Sequence, residues 1–321
     1  MYDIKHFNLR ELLLINYDSF LRAFFELKSG EQVKETRQYD LKVFKLNIET
    51  LKGLASKEID PFIVMKKELR KSNKKGKRPV IIIDELQALD EIYFNGGREL
   101  LNEMFNFFVA MTKESHLCHV IIASSDGYFI KRIYQDSKLK KTSRFMKVDY
   151  IGYEDVMDWL NNLDTYSEID QFDLNHEKQQ KIWDFFGGSC WEISDFLEIL
   201  LNAAKNKTIA DDDFDSLLQE KLFNFQSMFM EYATIEPEKE QLLLKISNLI
   251  RDKPGKGFVF NELRSLIDTS IWTISTLRTE LNSLVRKNFL SYAPPRAEYA
   301  LQGRSMELGL EAYVKMSYSA G

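Results

Sequence analysis

The stretch Arg78–Leu89, RPVIIIDELQAL, limits what this chain can fold into more than any other. Val80, Ile81, Ile82 and Ile83 place four β-branched residues in a row, and Asp84 and Glu85 follow at once. An apolar run this short and this branched predicts a strand buried on both faces of a parallel sheet. In open α/β sheets, ligands bind beyond the carboxyl ends of the strands, and both carboxylates sit at that end. Two readings fit. One is a strand end that handles a metal and phosphate; the other is a core strand running into an acidic helix cap.

Length and charge narrow the setting. A chain of 321 residues has room for two or three domains, and 44% hydrophobic with 29% charged residues is a globular balance. The net charge of −5 gives no global attraction to nucleic acid, so such binding would need a local patch. Cys118 and Cys190 are too far apart in sequence for a disulfide framework, which fits a reducing cytoplasm. No apolar run reaches the roughly 20 residues of a membrane helix, and no signal peptide precedes the first residues. A cytoplasmic protein without membrane contact is expected, mostly helical around a modest sheet.

Before the central run, Tyr2–Leu9 alternates apolar and polar residues like a strand. Arg10–Leu27 carries Leu13, Leu14, Tyr17, Phe20, Leu21 and Phe24 near helical spacing. Ser29–Asp40 predicts a loop and Leu41–Leu46 a weak strand. Asp60-Pro61 starts a helix through Leu69, with Pro61 at a favoured first-turn position. Lys66–Arg78 then holds eight Lys or Arg residues. Such a run is either a phosphate or nucleic-acid patch or a solvated helix end leading into a buried strand. No aromatic residue interleaves it to stack on bases, which favours the second reading.

After a break at Gly96-Gly97, Arg98–Thr112 is strongly periodic, and Leu117–Asp126 returns as a second buried strand. Strand, helix, strand is a βαβ unit, whose crossover is right-handed. It brings Ser125 and Asp126 to the same sheet edge as Asp84 and Glu85. His116, Cys118 and His119 do not read as a metal site, because alternation sets Cys118 opposite His119 and no second ligand cluster exists in the sequence. Gly127–Leu139 predicts a helix, Arg144 follows in TSRF, and Met146–Ile151 predicts a last, shorter strand. Helices from Glu154, over Glu177–Phe186 and over Trp191–Ala204 read as a lid bundle, with Gly187-Gly188 stopping the second. Asp211-Asp212-Asp213 starts another helix.

Towards the C-terminus, Glu240–Ile250, Phe258–Ile267 and Ser270–Lys287 predict three helices. Phe289–Tyr292, a Pro294-Pro295 turn and Glu298–Leu301 predict a hairpin. Three helices plus a hairpin form the winged-helix arrangement. The third helix offers Arg278, Arg286 and Lys287 against Glu280, and the wing adds Arg296 and Arg304. That footprint is thin for DNA, so contact with a protein or within the chain is at least as strong an expectation.

Taken together, these segments resemble the archaeal P-loop ATPases of the STAND class, relatives of AAA+ proteins. The carriers are VIIIDELQAL at Val80–Leu89, RELLNEMFNFFVAMTKE after it, HLCHVIIASSD at His116–Asp126, Arg144, and GGSCWEI at Gly187–Ile193. The resemblance implies an α/β core, an incomplete P-loop NTPase-type parallel sheet with flanking helices, over residues 1–150. A helical lid over 151–235 and an α+β winged-helix domain over 236–321 would follow. ATP and Mg²⁺ are the implied ligands. Asp84 would be the Mg²⁺ carboxylate of a Walker B strand and Glu85 the base that activates water. Ser125 or Asp126 would read the γ-phosphate, and Arg144 would contact phosphate, in cis or across a subunit boundary of an oligomer. Gly187-Gly188 would match the family's lid motif near adenine, with Cys190 standing where that motif has Pro.

One departure matters most. The sequence contains no G-x-x-x-x-G-K-[ST] segment, and Pro254-Gly255-Lys256-Gly257 has no strand before it. Against the family pattern, the chain is expected to begin at the second strand of the core, with a P-loop supplied upstream or by another chain. The amides, Lys and hydroxyl that cradle phosphate would then be missing. The reading is an ATPase-family nucleotide-dependent switch, truncated and weak or inactive by itself. The alternative is a non-enzymatic interaction or DNA-binding protein that works through the winged helix.

Overall fold

The computed structural model describes residues 2–319 apart from 12–16, 28–43, 47, 57, 91, 95–97, 137–138, 168, 170–171, 173, 206, 252–256 and 269–271. The expected loop Ser29–Asp40, the break at Gly96-Gly97 and Pro254–Lys256 lie outside the described residues. The chain divides into two compact units, Met1–Arg144 and Phe145–Gly321.

The first unit is built on a parallel sheet of β1 (Tyr2–Asn8), β2 (Arg78–Asp84) and β3 (His119–Ala123), with β2 in the middle. Register aligns Ile4, Val80 and His119 across the three strands, and Asn8, Asp84 and Ala123 at their carboxyl ends. Helix α1 (Pro61–Lys74) leads into β2 and continues past the expected Leu69. Asp60 caps it by accepting from the Phe62 amide at 2.7 Å, and Lys71 and Lys74 suit its negative C-terminal end. Helix α2 (Leu100–Val109) follows β2 and ends in a π-helical turn, Ala110–Glu114, where a regular helix was expected. Helix α3 (Gly127–Asp136) follows β3, and a separate short helix covers Leu139–Thr142.

Among the described residues, the helices of the first unit cover one face of the sheet. Phe7, Ile81 and Ile83 are at most 3% exposed and pack with Leu69, Leu100, Met104 and Phe105. On the other face Tyr2 and Ile4 are 64% and 65% exposed and Ile121 48%, while Val80 and Ile82 are half-buried. The expectation of a central strand buried on both faces is therefore corrected. Both crossovers run the same way across the sheet, and right-handed connections that run the same way lay their helices on the same face. The expected helix Arg10–Leu27 is also divided. Leu9–Glu11 is a 3₁₀ turn, Tyr17–Phe24 a helix, and Phe25–Leu27 a short strand parallel to Phe44–Leu46.

The second unit opens with α4 (Tyr153–Asn161), α5 (His176–Phe186), α6 (Cys190–Ala203) and α7 (Asp211–Thr234). Phe186, Ile193, Phe196 and Phe214 form the centre of their core. Then come α8 (Pro237–Arg251), a short turn of helix at Phe260–Asp268, and α9 (Ile274–Arg286). An antiparallel sheet joins β4 (Phe258–Val259), β5 (Leu290–Ala293) and β6 (Glu298–Leu301), with β6 central. A last helix, α10 (Arg304–Ser319), was not anticipated from the sequence and packs along α7. The strand expected at Met146–Ile151 does not form. The segment pairs with no strand among the described residues, and Met146 and Val148 are 78% and 87% exposed. Its alternating pattern has no neighbour to supply ladder bonds, and a strand is not stable alone.

Candidate functional site

The carboxyl edge of the parallel sheet gathers four of the residues singled out from the sequence. Asp84 ends β2, and the chain turns sharply at Glu85, which has φ 58°. That left-handed conformation is unfavourable for an L-residue with a side chain, and here two bonds to the Glu85 amide hold it. The amide donates to the Ala123 carbonyl at 3.0 Å and to Asp84 Oδ1 at 2.9 Å. The turn ties β2 to the end of β3 and folds the Glu85 side chain inward, leaving the residue 8% exposed.

A buried carboxylate needs donors on its lone pairs, and Glu85 has them on both oxygens. Oε1 accepts from Ser125 Oγ at 2.9 Å and from Arg10 Nη2 at 2.8 Å; Oε2 accepts from Gln87 Nε2. The same Arg10 nitrogen reaches Ser125 Oγ at 3.1 Å. Behind this layer, Ser124 Oγ donates to Gln87 Oε1 at 2.8 Å and accepts from the Asp126 amide at 3.1 Å. Asp126 in turn accepts from the Phe129 amide at 2.9 Å, at the start of α3. Asp84 accepts only the Glu85 amide among the described residues, so its second oxygen is open to a ligand.

Arg10 was not singled out from the sequence. It sits in the 3₁₀ turn after β1, 75 positions from Glu85 in the chain, and only the parallel pairing of β1 with β2 brings them together. The available signal was a lone arginine just past a strand that ends on the acidic edge. Arg144 is exposed at the end of the first unit and joins none of these bonds.

Gly187 and Gly188 lie in the second unit, at the end of α5. Gly187 has φ 56°, and its amide caps the helix by donating to the Trp183 carbonyl at 2.7 Å. Gly188 is held by contact: a Cβ there would collide with the Ile151 carbonyl, and the Ile151 amide donates to the Gly188 carbonyl at 3.2 Å. Cys190 opens α6 and is exposed. Near it, Glu192 accepts from Ser305 Oγ at 2.5 Å, and its other oxygen is buried with no hydrogen-bond partner within bonding distance among the described residues. Burial pushes the Glu192 carboxyl above the ordinary value, against the opposing pull of Ser305, Ser189 and Lys221.

Among the described residues no group of three or more His, Cys, Asp or Glu is arranged to enclose a metal ion. A divalent cation held by one carboxylate, waters and phosphate oxygens needs no such cage, and Asp84 with its open oxygen fits that donor set. Among the described residues no helix is long and apolar enough to cross a membrane.

Comparison with known proteins bears on this edge. Residues 2–196 match the family described as an ATPase domain predominantly from Archaea. Two relatives, both named uncharacterized ATP-binding proteins of Methanocaldococcus jannaschii, align with the chain. One is 40% identical over 152 residues, which is 47% of this chain and 45% of that protein, so less than half of the relative is spanned. The other is 34% identical over 244 residues, 73% of this chain and 70% of that protein. A solved structure, a Walker-type ATPase of Pyrococcus abyssi, superposes with a TM-score of 0.53 at 12% identity. It covers 96% of this chain and 84% of its own, and the likeness is one of fold.

Proposed function

The chain belongs to the family of ATPase domains found predominantly in Archaea, and from that membership we propose that it is a nucleotide-dependent switch whose ligand is ATP with Mg²⁺. The observation that carries this reading is the position of Asp84 and Glu85 at the carboxyl end of the central parallel strand, with Ser125 bonded to Glu85. When bound, ATP with Mg²⁺ supplies the phosphoryl group to be attacked and part of the charge that neutralises it. Asp84 offers its open oxygen to a cation or a cation-bound water. Glu85 is the water-polarising base, and Ser125 or Asp126 reads the phosphate. Arg144 contributes positive charge, and Gly187-Gly188 belongs to the lid.

Arg10 sets the resting state of that edge. Both oxygens of Glu85 already accept bonds, from Arg10 and Ser125 and from Gln87, so one of these donors has to give way before a water can bond to it. The base is competent only when Arg10 withdraws or exchanges its partner. No G-x-x-x-x-G-K-[ST] segment is present in this sequence, so the positive cradle that offsets Asp84, Glu85 and Asp126 towards a triphosphate is also absent from it. The chain by itself is therefore a weak ATP binder without turnover.

The C-terminal elements α8, α9 and β4–β6 are read as a winged helix used for contact within the protein or with a protein partner. Three cations of this region already have partners within the chain. Arg278 lies over the Phe260 ring at 4.8 Å, Lys287 over the Tyr232 ring at 5.9 Å, and Arg304 pairs with Glu307 at 2.9 Å.

Calorimetric titration with ATP and Mg²⁺, paired with a phosphate-release assay, tests the reading. Weak heat and no release are expected from this chain alone, and micromolar binding with turnover would refute its inactivity. A version extended upstream by a strand carrying G-x-x-x-x-G-K-[ST] should gain Mg²⁺-dependent turnover that Asp84→Asn or Glu85→Gln removes. Turnover indifferent to both changes would refute the assigned roles.

A further inference from the structure

Resting on the reading of this edge as a nucleotide site, we propose that Gln87 is a positioning residue that holds Glu85 by Oε2 and couples it to Ser124 and the start of α3. Gln87 lies two positions past Glu85, in the 3₁₀ turn Leu86–Leu89. The Ala88 amide on the Glu85 carbonyl and the Asp90 amide on the Gln87 carbonyl close that turn, both at 2.9 Å. Chemistry fixes the direction of every bond that follows. A carboxylate only accepts, so Gln87 Nε2 faces Glu85 Oε2, and Gln87 Oε1 is left to accept from Ser124 Oγ at 2.8 Å. Having given its hydrogen to Gln87, the Ser124 hydroxyl accepts from the Asp126 amide at 3.1 Å. Asp126 in turn accepts the Phe129 amide on its side chain at 2.9 Å and the Ile130 amide on its carbonyl at 3.0 Å. A relay therefore runs unbroken from the first turn of α3 to Glu85 Oε2, each bond polarising the next.

Adjacent serines thus grip both oxygens of one carboxylate. Ser125 bonds Oε1 directly, and Ser124 reaches Oε2 through the amide of Gln87. The last torsion of a glutamate side chain is broad and roughly two-fold, so a carboxylate held on one oxygen only is free to turn. With Gln87 on Oε2, Oε1 stays on the side of Ser125 and Arg10. A water that displaces a donor there meets Oε1 in a fixed orientation, and catalysis depends steeply on such alignment. A shift of the Ser124–Asp126 strand end towards a phosphate pulls on both oxygens at once, which ties the orientation of the base to the reading of the phosphate. An amide suits the bridging position because it offers a donor and an acceptor without charge. A glutamate there would set two carboxylates against each other, and a leucine would leave Oε2 without this donor in a residue only 8% exposed.

Proton–nitrogen spectra of the full chain carrying isotope-labelled glutamine read the bridge itself, with the Gln87 amide identified by its loss in Gln87→Leu. A downfield, slowly exchanging Gln87 amide proton is expected, moved by Ser124→Ala and still bonded in Arg10→Ala. A Gln87 amide at the position of a solvated glutamine, one indifferent to Ser124→Ala, or one released by Arg10→Ala overturns the proposal. Turnover is then read in the version extended upstream by a strand carrying G-x-x-x-x-G-K-[ST]. Gln87→Leu should lower kcat there by about tenfold to a hundredfold at unchanged KM for ATP, the split expected of a misplaced base. Ser124→Ala should lower kcat by less, and the double variant should be no slower than Gln87→Leu alone, since both changes break one relay. Circular dichroism verifies that the variants fold like the parent. Unchanged kcat in Gln87→Leu where Glu85→Gln abolishes turnover overturns the role of Gln87 and leaves the reading of the site intact. A raised KM at unchanged kcat, or losses that add in the double variant, overturns it as well. An extended version without turnover, or one indifferent to Glu85→Gln, overturns the reading of the site and the role of Gln87 with it.

Discussion

The two ends of β2 are built on opposite principles. At the carboxyl end a buried acid, Glu85, is bonded on both oxygens by Arg10, Ser125 and Gln87, in a turn that its own amide secures twice. At the amino end Lys74, Lys75, Lys77 and Arg78 are exposed and meet no carboxylate among the described residues. Seven residues separate an edge where the Glu85 carboxylate is bonded on both oxygens from one where the charges are held in solvent. Unpaired polar groups are costly when buried and nearly free when hydrated, so the same strand tolerates both. Along one element, bonded charge gathers at one end and solvated charge at the other.

Mutations should separate the two ends by size of effect. Glu85→Ala leaves three donors facing an empty pocket and is expected to lower unfolding free energy by about 2–4 kcal/mol in urea denaturation. Glu85→Gly should lose about 1 kcal/mol less, because glycine relieves the φ of 58°. Equal losses would mean that the turn is not strained. Arg10→Ala should cost about 1 kcal/mol, since the arginine side chain is 68% exposed and solvent screens its pair with Glu85.

The second unit provides a milder case of a buried acid. Burial raises the Glu192 carboxyl, so its favourable contribution is present below the unfolded value and is lost as pH rises through the folded one. Glu192→Gln should therefore raise the melting temperature by about 1–2 °C at pH 7 and have no effect at pH 4. A gain of equal size at both pH values would contradict the assignment. The smallest effect belongs to the amino end of β2, where changing Lys74, Lys75 and Lys77 to Glu should move stability by no more than about 0.5 kcal/mol.

Much of this arrangement was legible in the residues. Four consecutive β-branched side chains made β2, the apolar return from Leu117 made β3, and the βαβ rule set Ser125 on the same sheet edge as Glu85. What escaped was whatever depended on a partner. Met146–Ile151 has a strand's alternation and, among the described residues, no neighbouring strand to pair with. Arg10 carries no local signal, because its role arises only from the pairing of β1 with β2. That the crossover helices share one face follows from the shared direction of the two crossovers, a property of topology and not of composition.

The π-helical turn at Ala110–Glu114 acts as a phase adjuster for this architecture. By closing Ser115 onto Ala110 and Leu117 onto Met111, it absorbs one residue beyond the α-helical repeat before the chain enters β3. A strand has a period of two, so a single-residue slip there would exchange the half-buried Val120 and Ile122 for the exposed His119, Ile121 and Ala123. It would also move the Ala123 carbonyl, at the end of β3, away from the Glu85 amide that it anchors. One extra residue at the end of a helix thus keeps the acidic edge and the covered face in step.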